Sequence, residues 1–171
     1  MDKKVKEIAI LLERYPHIQE TQTLHDGVQI IQSFTHGENH HLKYSELLVI
    51  NDRNQLVGRL TLQDILQGLD KRLVAVPKPK GFEGKGMEYP NLAILWEESF
   101  YLECSKKASL PVRDFMSPAK RYVKGSDPLL KALAIMLYAH DFLLPVVEES
   151  RVLGVIRIEE IFTAICGQCK L

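Results

Sequence analysis

Apolar positions along the chain switch between a helical and a strand-like spacing, and the order of the switches is written twice. In the second half, VRDFMSP leads into a short strand around Arg121 to Val123. Leu129, Leu130, Leu133, Met136 and Leu137 then form a helical stripe that ends near His140, with Ser126 or Asp127 as its cap and Pro128 suited to its first turn. FLLPVVEE and RVLGVIR follow as two strands around a tight polar turn, and Ile158 to Ile165 forms a closing helix. The predicted order is strand, helix, strand, strand, helix.

The first half repeats that order. HIQET is the short strand, TLHDGVQIIQSF the helix, ELLVIND and QLVGRLT the strand pair, and LQDILQGL the last helix. Leu24 matches Leu129 at an offset of 105, whereas Gly58 matches Gly154 at 96, and the nine residues between them fall in THGENHHLKY, a loop that the second half lacks. The clearest sign of duplication is the pair of phrases GRLTLQDIL, from Gly58, and GVIRIEEIF, from Gly154. Gly27 and Ala132 share a position where a small residue lets a helix approach a sheet.

Ahead of the first unit, Val5, Ile8, Leu12 and Tyr15 fall at helical spacing up to Pro16, so residues 1–15 are expected as an N-terminal amphipathic helix. Its charges, threaded among the apolar residues, exclude a signal peptide and a membrane span. Repeat one is then 16–69, an insert or linker 70–111, and repeat two 112–171. The insert opens with KRLVAVPKPKGFEGKG, a surface loop whose GFEGKG lacks the spacing of a phosphate-binding loop, and continues after Pro90 into an expected helix, NLAILWEESFYLEC.

Composition narrows the function. With 171 residues, 46% of them hydrophobic, the chain can bury one good core or two small ones. Lys plus Arg equals Asp plus Glu at 22 each, so no basic stripe points to nucleic acid. Three cysteines, an odd number, argue against a disulfide framework and for the cytoplasm. Cys166 and Cys169 form a CxxC without the other ligands a zinc site needs, and His36, His40 and His41 lie in a solvated loop, so no metal is expected. No nucleophile with a neighbouring base, phosphate-binding loop or metalloprotease motif is present, so no enzyme and no required cofactor is expected.

VRDFMSP opening a unit, LLPVVEE with Pro145, and the pair GRLTLQDIL and GVIRIEEIF resemble the cystathionine β-synthase (CBS) domain, here as a tandem pair or Bateman module over roughly residues 16–69 and 112–168. The fold class is thus α/β (α+β), two β-α-β-β-α repeats packed as a pseudo-symmetric pair. The resemblance implies two clefts between the repeats that hold adenosine-containing ligands: AMP, ADP, ATP or S-adenosylmethionine.

Thr61 stands where it caps the last helix of repeat one, with its hydroxyl and the first backbone N–H groups toward a phosphate, and Asp64 one turn on can accept from both hydroxyls of a ribose. The same Thr61-x-x-Asp64 is a capping box, which stabilises the helix start whether or not anything binds. By resemblance, Tyr122, Val123, Phe142 and Leu143 from repeat two wrap the adenine. The second, weaker site combines Arg157 and Glu160, which depart from the family's Thr/Ser and Asp, with His17, Ile18, Glu46 and Leu47. Arg157 can there hold a phosphate or pair with Glu160. Ile65, Leu66, Ile161, Phe162 and Ile165 carry more apolar surface than their short helices need, so a homodimer through the closing helices is expected. The sensing module has a rival, a CBS-fold scaffold with degenerate clefts that binds only a regulated protein partner, in part through the 70–111 insert; an enzyme using the terminal CxxC is a remote third reading.

Overall fold

The computed structural model describes residues 3–71 and 92–169. In chain order these form β1 (Ile10–Leu11), β2 (His17–Gln19), α1 (Leu24–Ser33), β3 (Thr35–His36), β4 (His41–Leu42), β5 (Glu46–Ile50), β6 (Leu56–Thr61) and α2 (Leu62–Leu69). After the insert helix α3 (Leu92–Lys107) come β7 (Ser117–Pro118), α4 (Leu129–Ala139), β8 (Leu143–Glu148), β9 (Arg151–Arg157) and α5 (Ile158–Cys169). The predicted unit is present in both halves, with Val123 bridging in parallel to Val146 where the second short strand was expected.

Strand alternation builds the layers. Along β5, Leu47 and Val49 join Ile18, Leu24, Ile31, Leu60 and Ile65 under the first pair of helices, while Leu48 and Ile50 point the other way. There they meet Tyr15, Tyr44, Leu143, Val152 and Val155 in a cluster shared by both sheets. A third cluster, with Val5, Val123, Met136, Leu144, Ile156 and Ile161, lies under α4 and α5. The two repeats thus pack sheet to sheet.

Each half also lends its leading strand to the other. The sheets run β2-β5-β6-β7 and β1-β9-β8. In them Ser117 and Pro118 lie opposite Arg59 and Gly58, and Ile10 and Leu11 lie opposite Val155 and Gly154. The glycine that opens each repeated phrase is therefore the residue over which the borrowed strand crosses. A Cβ on Gly58 would lie 2.7 Å from Met116 Sδ and from the Ser117 carbonyl oxygen, and one on Gly154 would run into the Ile10 carbonyl oxygen.

That exchange corrects the expected N-terminal helix. Residues Val5–Glu7 and Leu12–Arg14 are single 3₁₀ turns on either side of β1. The N–H groups of Val5 and Lys6 donate to Asp127 and Gly125 carbonyls of the second half, each at 3.0 Å, so the backbone bonds a helix would keep to itself are spent between halves. The apolar spacing at three and four residues fits either conformation. Val112–Asp114 forms the matching 3₁₀ turn ahead of β7.

Smaller differences have similar local causes. Pro128 is the N-cap of α4 rather than part of its first turn. Asp127 accepts instead from the Lys124 N–H at 2.9 Å and from Lys131 Nζ at 2.8 Å. The histidine-rich loop closes as the small β3–β4 hairpin, with His36 opposite His41. Helix α5 runs on to Cys169, so both thiols of the CxxC sit on its final turns. Ile65 and Ile161, expected at an interface, are buried inside the module, whereas Leu66 and Phe162 are exposed at 53% and 66%.

The insert helix is present as expected, and Lys107 Nζ donates to the carbonyls of Gly68 and Leu69 at 3.0 and 2.7 Å, satisfying the open end of α2. The expected GFEGKG loop lies outside the described residues. No helix among the described residues is long and apolar enough to cross a membrane.

Candidate functional site

Two clefts open where β6–α2 and β9–α5 face the opposite half. In the first, α2 begins at Thr61 with the full capping box. The Asp64 N–H donates to Thr61 Oγ1 at 3.0 Å, while the Thr61 N–H and hydroxyl both donate to Asp64 Oδ2, at 2.9 and 2.7 Å. The second carboxylate oxygen accepts from the Ser117 hydroxyl at 2.9 Å, on the strand borrowed from repeat two. The box thus sets the rotamer of Asp64, and the strand exchange adds a partner from the other half.

Around this pair lies a cavity of about 350 Å³ lined by Arg59, Thr61, Gln63, Asp64, Gln67, Ser117, Pro118, Lys120, Arg121 and Asp141. Its lining carries both signs: Asp64 and Asp141, the latter paired with Arg59, and Lys120 and Arg121, which form no ion pair among the described residues. The helix start itself is largely used up, because the Leu62 N–H donates to the Ser45 carbonyl at 2.9 Å and the Thr61 hydroxyl is held by Asp64. Lys120 and Arg121 are then the cations of this lining with no ion-pair partner among the described residues.

The expected adenine wrap is distributed differently. Tyr122 lines a neighbouring groove with Lys131, Ala134, Ile135 and Tyr138. Val123 is buried in the core beneath α4, and Phe142 and Leu143 line the other cleft. The family resemblance put these residues near the cleft. It could not say which way each points, and it passed over Ser117, Lys120, Arg121 and Asp141, whose only sequence signal is their place beside the unit boundaries.

The second cleft, of about 300 Å³, is lined by Tyr15, Leu42, Lys43, Tyr44, Ser45, Glu46, Leu62, Phe142, Leu143, Arg157 and Glu159. Here Arg157 does not reach outward. Its Nε and Nη2 form a fork on Glu160, the first bond at 2.9 Å, and its guanidinium lies 5.3 Å from the Tyr44 ring centroid. The Glu160 pairing keeps Arg157 more firmly protonated than a free guanidinium. Ile18 and Leu47 are core residues of the first half, and the His17 ring nitrogen bonds the Tyr15 carbonyl oxygen at 2.8 Å. Of the six residues expected at this site, Arg157 and Glu46 line the cleft, and Glu160 is the partner of one of them.

Arg59 joins the two clefts. It donates through Nε and Nη2 to Glu46, both at 2.9 Å, and through Nη1 and Nη2 to Asp141, at 2.7 and 3.1 Å. Burial pushes the Glu46 carboxyl above its ordinary range against the pull of Arg59; burial also works to lower Arg59, but its bonds to Asp141 and Glu46 together outweigh that and hold it above its own. These directions are compatible, since two carboxylates share one guanidinium and Asp141 and Asp64 add repulsion at Glu46.

The CBS domain sequence profile matches residues 5–71 and 112–167, well over half of the chain and once in each half. The chain belongs to the CBS domain family. As a CBS pair it resembles the CBS-pair protein CBSX2 from Arabidopsis thaliana, with 17% identity, a TM-score of 0.68, and 100% and 99% of the two chains covered. A structure of CBSX2 in complex with AMP matches at 19% identity and a TM-score of 0.63, covering 98% of each chain. The cytosolic domain of the Mg²⁺ channel MgtE in complex with ATP matches at 15% identity and a TM-score of 0.59, covering 95% of this chain and 48% of that one. No curated protein sequence matches.

Proposed function

We propose that this CBS pair is a regulatory module, not an enzyme, that binds one adenine nucleotide in the Thr61–Asp64 cleft and passes its occupancy to a partner protein. The observation that carries this reading is the make-up of that cavity's lining: Asp64, suited to ribose hydroxyls, together with Lys120 and Arg121, which have no ion-pair partner among the described residues and are suited to a phosphate. Relatives captured with AMP and with ATP support it. Because S-adenosylmethionine carries a positive sulfonium, Lys120 and Arg121 favour AMP, ADP or ATP over it. The second cleft takes no nucleotide in this reading, because Arg157, Glu160 and Tyr44 satisfy one another there.

Two further parts complete the proposal. Leu130, Leu137 and Phe162 lie 60 to 68% exposed on α4 and α5, which face the same side of the second half, and we assign that apolar surface to a second copy of the chain. Its three free thiols suit the reducing cytoplasm. The scaffold reading keeps one support, the self-satisfied second cleft, and makes a different prediction. A thermal-shift panel of AMP, ADP, ATP, cyclic nucleotides and S-adenosylmethionine separates the two. A bound nucleotide adds about 2.7 kcal/mol at a hundredfold excess over its dissociation constant, and the absence of any shift rules out nucleotide sensing in favour of the scaffold.

A further inference from the structure

Arg59 has no counterpart in the second half. Its matching position in the repeated phrase is Val155, which is fully buried in the apolar cluster between the sheets. The ion network is therefore an asymmetric addition to a symmetric fold, and its three members belong to both repeats: Glu46 and Arg59 to the first, Asp141 to the second. Its carboxylates also belong to different clefts. Asp141 lines the Thr61–Asp64 cleft together with Arg59, and Glu46 lines the Tyr44–Arg157 cleft.

The bonding leaves the network poised. A guanidinium carries five N–H donors, and Arg59 spends four of them on the two carboxylates. All three side chains are shielded, at 19% exposure for Arg59 against 9% for Glu46 and 16% for Asp141, so their attraction is little screened by water. Two negative charges sharing one positive charge give a unit with net charge −1. An anion entering the first cleft meets the remaining N–H of Arg59 and repels Asp141 across it. Either effect shifts the fork between its two carboxylates, and Glu46 registers the shift on the far side.

We infer that Arg59 couples the two clefts, so that an anionic ligand beside Thr61 and Asp64 rearranges the Glu46, Tyr44 and Arg157 surface of the second cleft through the shared guanidinium. This rests on the nucleotide reading of the first cleft. It gives the second cleft a role that needs no ligand of its own: it is the face on which occupancy is displayed, and its exposed Phe142 and Glu159 are what a regulated protein meets. The coupling is reciprocal, so anything that pins Glu46 from the second side changes nucleotide affinity in the first by the same factor.

Titrating isotope-labelled protein with AMP, and following the Thr61 methyl together with the Tyr44 ring and Arg157 Nε–H signals by NMR, tests this. In the wild type all three shift along one saturation curve. In Glu46→Gln, which keeps a hydrogen-bonding group and lies outside the first cleft, the Thr61 methyl still titrates and the second-cleft signals lose most of their shift. Second-cleft signals that stay still in the wild type while Thr61 titrates overturn the coupling. Shifts that persist undiminished in the variant overturn it too, since they mean direct occupancy of the second cleft. A Thr61 methyl unmoved by saturating AMP, ADP or ATP removes the nucleotide reading itself, and the coupling with it.

Discussion

Replacing Asp64 with asparagine separates the two roles its carboxylate could have. In the folded protein Oδ2 accepts two bonds from Thr61 and Oδ1 accepts one from Ser117. An asparagine keeps one oxygen for the Thr61 N–H, and its amide nitrogen donates to a Ser117 hydroxyl that can rotate to accept. The helix start therefore loses a charge near its positive end but not its geometry, which costs about 0.3–1 kcal/mol of stability. A ribose bound to the carboxylate loses a charge-assisted acceptor, worth about 1.5–3 kcal/mol, or roughly tenfold to a hundredfold in affinity. A denaturant melt reads the first number and titration calorimetry with AMP reads the second. Reduced stability with unchanged affinity refutes the ribose role and leaves the capping box as the whole reason for Asp64.

The other perturbations address the fold, the ion network and the assembly. Gly154→Ala sets a methyl against the Ile10 carbonyl where the borrowed strand crosses, so it should cost about 1–3 kcal/mol or more in a urea melt, while Gly167→Ala on α5, which meets nothing within 4 Å, should cost nothing. Glu46→Gln tests the raised carboxyl: a folded-state value above 4.5 makes stability fall as pH rises from 4.5 through that value. The variant should lose that part of the wild-type pH dependence across the acid-to-neutral range, and an identical profile contradicts it. Phe162→Glu should leave the melting curve close to wild type while reducing the mass in light scattering from dimer to monomer; a wild-type monomer at micromolar concentration contradicts the assigned surface.

Periodicity made most of the architecture legible. The stripes behind α1 and α4, the strand pairs and both closing helices follow from side chains that must face one core. The repeated phrases located the helix starts at Leu62 and Ile158, and the capping box at Thr61 was legible because capping chemistry is local. What the sequence concealed was long-range. Val5, Ile8, Leu12 and Tyr15 carry a spacing that serves a helix or a pair of 3₁₀ turns, and the choice is made by backbone bonds to Gly125 and Asp127 in the other half. The same exchange brings Ser117 to Asp64, a contact spanning 53 residues. Arg59 looked like one more polar residue on an alternating strand; its role depends on Asp141, which lies 82 residues away. The repeated glycines were visible as a pattern, and their cause, a crossing strand, was not.

A crystal structure of the protein with AMP tests the central claim most directly. The account predicts one nucleotide per chain, with its ribose hydroxyls on Asp64, its phosphate between Lys120 and Arg121, and the Arg157–Glu160 pair still closed over Tyr44. Nucleotide density confined to the Tyr44 cleft, or no density at a saturating concentration of AMP, contradicts it.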